Sequence, residues 1–377
     1  MSSIDRYLVQ VYAKTLVVAF VSLVGLYVVI DGFNNLDEFL TYGNHRALET
    51  AKVLAEYYTP RLLQFFDKIA GPLAMFAAAF VLTGISRSNE LTALLAAGIA
   101  PSRIIRPLVA ASVVVTALAV ANREVGLPSV RDSLSKNAQD WRGETGRKCT
   151  PRYDLRSDIL ISAQATFANQ KRLATPLFQL PELTSWGRQI AAESANYLSA
   201  TAEHPAGYLL RQVKQPANLG QLASISLGGN PVLFSPFDTP WLSSGDCFVA
   251  SVVTFEQLSV GSAWRQNLST QELMQGLRGH TIEPGADVKL TLHSRLIRPL
   301  LDLSLVLMGI PLVLSRASRN IFLAALVGFG LVLAMYIVSV ACDTLGKNYL
   351  LSATLAAWLP LLIFGPLAYT FARPLWD

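Results

Sequence analysis

The chain is poor in charge. Only 15% of its 377 residues are Asp, Glu, Lys or Arg, against 52% hydrophobic residues, and the mean hydropathy is +0.38. A soluble domain carries about a quarter charged residues, so a water-soluble globular protein is excluded and an integral membrane protein is expected. Nucleotide and metal motifs are missing as well. There is no GxxxxGK(S/T) phosphate loop, no GxGxxG, no HExxH and no CxxC, and the four histidines, His45, His204, His280 and His293, are scattered. No catalytic residues, metal or resident cofactor are therefore expected in this chain. Cysteine is scarce, at three. Cys342 ends an apolar stretch, while Cys149 and Cys247 share one polar region, where they either pair or sit as buried thiols; the apolar run around Cys247 favours the second. A net charge of +5 suits an anionic lipid surface, and no nucleic-acid partner is expected.

What is present is long apolar runs. Crossing a bilayer by helix takes roughly 17 to 25 mostly apolar residues, and six stretches qualify: about Tyr12 to Phe33, Ile69 to Ile85, Ile104 to Ala121, Leu296 to Leu314, Ile321 to Ala341 and Leu350 to Phe371. The first is read as a retained anchor, because DGFNNLDEFL follows it in place of a small-x-small cleavage site. Positive residues concentrate on the cytosolic side of membrane proteins. Arg6, Lys14, Arg87, Arg103, Arg106, Arg316, Arg319 and Arg373 outnumber Arg46, Lys52, Arg61, Lys68 and Lys347 across the short loops, so both termini are expected in the cytosol.

Three spans precede residue 125 and three follow residue 295. Between them, 126–268 breaks the pattern with turn formers and short, often alternating apolar runs, beginning at Ile159, Ile190, Tyr208, Pro231 and Asp246. Such spacing predicts an all-β domain, a sandwich or an open curved sheet. Ser269 or Thr270 then caps a helix with Glu272 in its first turn. The expected organisation is 1–125 with spans one to three, 126–268 as the β domain, and 269–377 as a linker helix with spans four to six.

The segment from Ser86 to Pro107, SRSNELTALLAAGIAPSRIIRP, is a short polar interruption between the second and third spans. Ser88 or Asn89 suits the cap of a helix, Glu90 suits its positive end, Gly98 suits a left-handed stop, and Pro101 prevents continuation. A short helix is expected within 88–98, with Leu91, Leu94 and Leu95 on one flank. The residues leave two readings open: a surface turn between spans, or a helix gripped by a cytosolic partner. Arg298 and Asp302, four apart near the start of the fourth span, are expected to neutralise each other. Arg123, Arg131 and Lys136, after the third span, have the chemistry for lipid phosphates.

IDRYLVQVYAKT at the start, NELTALLAAGI, NREVGLP at the third-span exit, LHSRLIRPL and AAWLPLLIFG resemble the LptF/LptG family of lipopolysaccharide export permeases. The order of these motifs across about 230 residues of both membrane halves carries the resemblance. It implies six transmembrane helices with an inserted periplasmic β-jellyroll, in the bacterial inner membrane. It also implies that Glu90 to Ala97 is a coupling helix that docks on an LptB-like ATPase dimer, which supplies ATP and Mg, with Glu90 meeting a basic residue there. The other implied partners are a second permease of the family, an LptC-like single-span protein, an LptA-like periplasmic bridge and lipopolysaccharide itself. Basic residues near the first and third span exits are implied to contact the lipid. The first exit is acidic here, which leaves Lys52, Arg61 and Lys68 beside Arg123, Arg131 and Lys136. A membrane-anchored receptor or scaffold with a ligand-binding β domain is the alternative. A secondary transporter lacks support, since midplane ionisable residues and inverted repeats are missing.

Overall fold

The computed structural model describes residues 3–43, 46–134, 136, 138–140, 144–181, 185–201, 204–227, 230–260, 265–278, 285–315 and 321–373. His45, His280, Arg316 and Arg319 lie outside them. The chain forms two compact units, Met1–Ser129 with Pro284–Asp377, and Val130–Glu283.

The first unit is helical. Its elements are α1 (Ser3–Asn34), α2 (Leu36–Tyr42), α3 (Ala47–Arg87), α4 (Glu90–Ala96), α5 (Pro101–Ala121), a π turn at Asn122–Gly126 and α6 (Leu127–Ser129). Among the described residues, five helices are long and apolar enough to cross a membrane: Ser3–Asn34, Ala47–Arg87, Pro101–Ser129, Ala325–Lys347 and Ala353–Ala372. The expected fourth span, Leu296 to Leu314, is helical throughout, within Ala286–Ser315, and carries two charged residues, Arg298 and Asp302. Helix α3 begins 22 residues before the apolar stretch read from sequence. Residues 47–68 are rich in Ala, Leu, Glu and Lys, good helix formers without a continuous apolar face.

The second unit opens with α7 (Arg131–Leu134) and carries β1 (Arg147–Lys148), β2 (Arg152–Asp154), β3 (Ile159–Phe167), β4 (Arg172–Gln179), β5 (Gln189–Leu198), β6 (Gly207–Gln215), β7 (Ile225–Leu227), β8 (Asn230–Phe234) and β9 (Cys247–Ala250). It continues with α8 (Phe255–Ser259) and α9 (Thr270–Arg278), and the chain returns to the first unit through α10 (Ala286–Ser315), α11 (Ile321–Lys347) and α12 (Ala353–Ala372). The strands form one antiparallel sheet in the order β1-β3-β4-β5-β6-β9-β8-β7, with β2 also on β3. All five apolar runs noted in this region became strands. Strand β4 did not show in the sequence because Pro176 removes a ladder donor. It is accommodated where Thr175 takes a positive φ of 47° and the β4–β5 pairing skips from Ala174 to Leu177. The core gathers Ile159, Phe178, Trp186, Tyr208, Leu233 and Val249. The buried Tyr208 hydroxyl donates to the Val253 carbonyl at 3.0 Å, and burial holds it protonated well above the usual tyrosine range. Cys149 and Cys247 are free and buried, and burial raises both thiols.

Helix α9 belongs to the β unit, although the sequence grouped it with the later spans. Ser269 is its cap. The Glu272 amide donates to Ser269 Oγ (3.0 Å) while Glu272 Oε2 accepts from the Ser269 amide (2.8 Å), a reciprocal capping box. Glu272 Oε1 also takes Arg131 Nη1 at 3.0 Å, so one carboxylate ties α9 to α7. Glu272→Ala is expected to cost about 1 kcal/mol, nearly all of it from the cap. Thermal unfolding of the purified protein measures it, with Arg131→Ala expected to cost a fraction of that.

Candidate coupling and lipid-contact sites

In the membrane unit, α3 packs on α1, α5, α10 and α11, and α10 also packs on α12 and α5. Two glycines bring α3 and α10 close. A Cβ at Gly71 would collide with the Asp302 carboxylate, and one at Gly309 would sit 2.6 Å from Met75 Cγ. Small residues at such crossings let membrane helices approach.

Helix α4 sits where α3 ends. Asn89 turns the chain with φ 59°, and Gly98 stops the helix with φ +78°. The stop is a Schellman motif: the Ile99 amide donates to the Leu94 carbonyl (3.1 Å) and the Gly98 amide to the Leu95 carbonyl (3.0 Å). Ile99 and Leu94 both pack on the helical core, which completes the apolar contact of that motif. The expected side-chain cap is not formed. Ser88 Oγ points back to the Gly84 and Ile85 carbonyls, and Asn89 makes no cap hydrogen bond, because its left-handed backbone turns its side chain away from the first-turn amides.

The leucines divide. Leu91 and Leu94 are half-buried against the chain's own core, whereas Leu95 is 43% exposed. Sequence reading placed all three on one flank. A helix this short packs its inner side on the bundle, and positions 91 and 94, three apart, share that side. The exposed surface is Glu90, Thr92, Ala93, Leu95, Ala96 and Ala97. Glu90 Oε2 accepts one hydrogen bond, at 3.3 Å from the Tyr7 hydroxyl of α1, and otherwise faces out.

Halfway along α3 lies a charge cluster. Twenty residues separate Asp67 from Arg87, about 30 Å along a helix, which matches the apolar thickness of a bilayer. Arg123, on the π turn, meets Asp67 Oδ1 through Nε (2.9 Å) and Nη2 (2.8 Å), and the two side chains are only 8% and 11% exposed. The π turn is held by Asn122 Nδ2 donating to the Leu63 carbonyl at 2.8 Å. Arg298 does not pair with Asp302, as the four-residue spacing suggested. Its Nη2 donates to the Asp67 and Lys68 carbonyls, at 3.0 Å each, because α10 presses against α3 at this level. Asp302 rests at Gly71 within the electrostatic field of Arg298, Arg123 and Asp67.

A profile described as lipopolysaccharide export system permease LptF/LptG matches residues 6–173 and 151–373. The chain belongs to that family. No curated protein matches it. As an LptF/LptG permease, it is a multi-pass membrane component of lipopolysaccharide export that joins apolar helices to a separate β unit.

The basic residues expected near the lipid are dispersed through this permease. Arg123 is buried on Asp67, which removes it from the surface. Arg131 pairs with Glu272 in the β unit, and Lys136 lies in the same unit. On α3, Lys52 lies 4.0 Å from Glu56. Arg61 lies 3.4 Å above the Tyr57 ring and donates to the Tyr57 carbonyl at 2.8 Å, and Lys68 is exposed. The β unit also holds a largely apolar cavity of about 550 Å³, walled by Tyr197, Pro205, Ala206, Val232 and Val252. At its rim the Asp154 carboxylate accepts from the amides of Arg156, Ser157 and Val252 and from Ser251 Oγ. Sequence reading found neither Asp67 nor this cavity. The adjacency of Asp67 to the second span was the one available hint.

Proposed function

We propose that this permease is one membrane half of an ATP-driven lipopolysaccharide extractor in the bacterial inner membrane. Six helices, α10 included, would cross the bilayer with both termini and α4 in the cytosol, and the β unit would stand in the periplasm as a jellyroll-type module. The lipid would enter a cavity shared with a second permease of the family and an LptC-like span. Its acyl chains would pass to the apolar cavity of the β unit and on to an LptA-like bridge. ATP and Mg would be bound and used by an LptB-like ATPase dimer, since this chain carries no phosphate loop.

The observation that supports this reading is the division of α4. Leu91, Leu94 and Ile99 fasten it to the bundle, so a force applied to Glu90 and Leu95 passes into α3 and α5 without being lost in a loose loop. A charge set beside one exposed leucine is the pattern of a small docking contact: the acid fixes register and the leucine fills a pocket. Copurification with the ATPase subunit tests it. Leu95→Asp is expected to abolish copurification while the permease still inserts and folds. Full retention would remove α4 as the dock and favour the receptor or scaffold reading.

Lipid phosphates are assigned to Arg131, Lys136, Lys52, Arg61 and Lys68. For Arg123 the role shifts to holding the π turn.

A further inference from the structure

The β unit carries a second cleft, of about 600 Å³, whose lining includes Arg172, Glu193, Ser194, Arg211, Trp241 and Asp246. The apolar cavity described above shares none of these residues. The register places Arg172 opposite Asn196 and Arg211 opposite Ser194, so the two arginines flank β5 from β4 and β6. They alternate with buried Leu173, Ala195 and Leu210, which puts them on the sheet face turned away from the core.

Three features mark this cleft as a binding site. The first is an orphaned donor: Arg172 Nε is buried without a hydrogen-bond partner, while its guanidinium carbon lies 4.5 Å from the Phe167 ring centroid. A buried donor left unmade costs about 1–3 kcal/mol and calls for a reason. The second is uncompensated charge: among the described residues neither Arg172 nor Arg211 makes an ion pair, although Glu193 and Asp246 line the same cleft. Asp246 Oδ1 is committed to the Gln212 amide at 3.1 Å. The third is an aromatic platform: Trp241 is 40% exposed and braced by His204 and Phe248, with ring centroids 5.6 and 5.5 Å away.

We propose that this cleft binds a phosphorylated saccharide. Guanidinium forks match phosphate oxygens in geometry and charge, so the two arginines would take the phosphate. The C–H face of a sugar ring packs on an indole, and Ser194 and Glu193 provide hydrogen bonds for hydroxyls. A volume of this size admits one or two sugar rings and sits within the usual range of ligand pockets. The site uses no residue of α4, so it stands whether or not the export reading does.

The test titrates the full-length protein in detergent with glucose 6-phosphate, glucose and inorganic phosphate, read by calorimetry. Glucose 6-phosphate is expected to bind with a Kd in the millimolar range or below, about tenfold more tightly than either of the other two. Arg211→Gln, at an exposed position, is expected to weaken it by about tenfold or more with unchanged thermal unfolding, and Trp241→Ala, which also removes the ring contacts to His204 and Phe248, is expected to weaken it as much with a lowered midpoint. Arg172→Lys, which keeps charge and loses the fork, is expected to weaken it too. Equal binding of inorganic phosphate and glucose 6-phosphate would overturn the saccharide assignment. No heat at roughly 10 mM, or full binding by the Arg211→Gln and Trp241→Ala variants, would overturn the site.

Discussion

Glu90→Ala is expected to abolish lipopolysaccharide export while leaving the permease inserted and folded. The side chain is exposed, and among the described residues it accepts only a 3.3 Å hydrogen bond from Tyr7, so its removal costs the fold almost nothing. A charge-assisted hydrogen bond to a basic partner is worth about 1.5–3 kcal/mol, roughly ten- to a hundredfold in affinity. That is enough to disconnect a contact seven residues long. The ATPase is expected to keep hydrolysing ATP in its own right, so the readout is transport per ATP in reconstituted vesicles. Glu90→Gln, which retains hydrogen bonding without charge, is expected to fall between wild type and Glu90→Ala. Tyr7→Phe, which leaves Glu90 with its outward bonds alone, is expected to transport normally. Undiminished transport by the Glu90→Ala variant would refute the coupling role.

The second large effect is on stability, at Asp67. Removing this carboxylate leaves the Arg123 guanidinium buried in an ion pair that no longer exists. Breaking a buried pair from one side costs about 3–5 kcal/mol, a large part of the stability of a typical domain. Asp67→Ala is therefore expected to lower the thermal midpoint in detergent steeply and to reduce the amount of protein in the membrane. Combining Asp67→Leu with Arg123→Met is expected to recover most of the loss, because the pair is removed together with its desolvation cost. A double variant as unstable as Asp67→Ala would show that the pair holds the π turn in a way that apolar packing cannot replace. Arg298→Gln is expected to cost less, since its guanidinium meets carbonyl oxygens and not the carboxylate.

Much of the architecture was legible in the sequence. Apolar length and scarce charge pointed to a membrane protein, and among the described residues five of the six apolar stretches lie in helices with the composition of spans. The five short apolar runs all became strands, and Gly98 stops α4 as its position before Pro101 suggested. The misses share a cause. Strand β4 was hidden by Pro176, whose cost is removed by a local irregularity that pairing with β5 tolerates. The Arg298–Asp302 pairing was inferred from spacing along one helix, yet carbonyls of α3 lie closer to Arg298 than its helical neighbour does. The leucine flank of α4 was drawn without knowing which side the bundle would take.

By itself, then, the sequence determined the solvent in which this protein lives, the absence of a nucleotide-binding motif, the position of α4 and the signal that ends it. These follow from composition and from neighbours within four residues, and such effects act before any tertiary contact forms. The tertiary structure alone decided that Leu95 faces out while Leu91 and Leu94 face in, and that Arg123 spends its charge on Asp67, 56 residues away. It likewise decided that two arginines on separate strands share one cleft. Those outcomes depend on which helices and strands pack together, and the strength of a charge or an apolar side chain is set by what surrounds it.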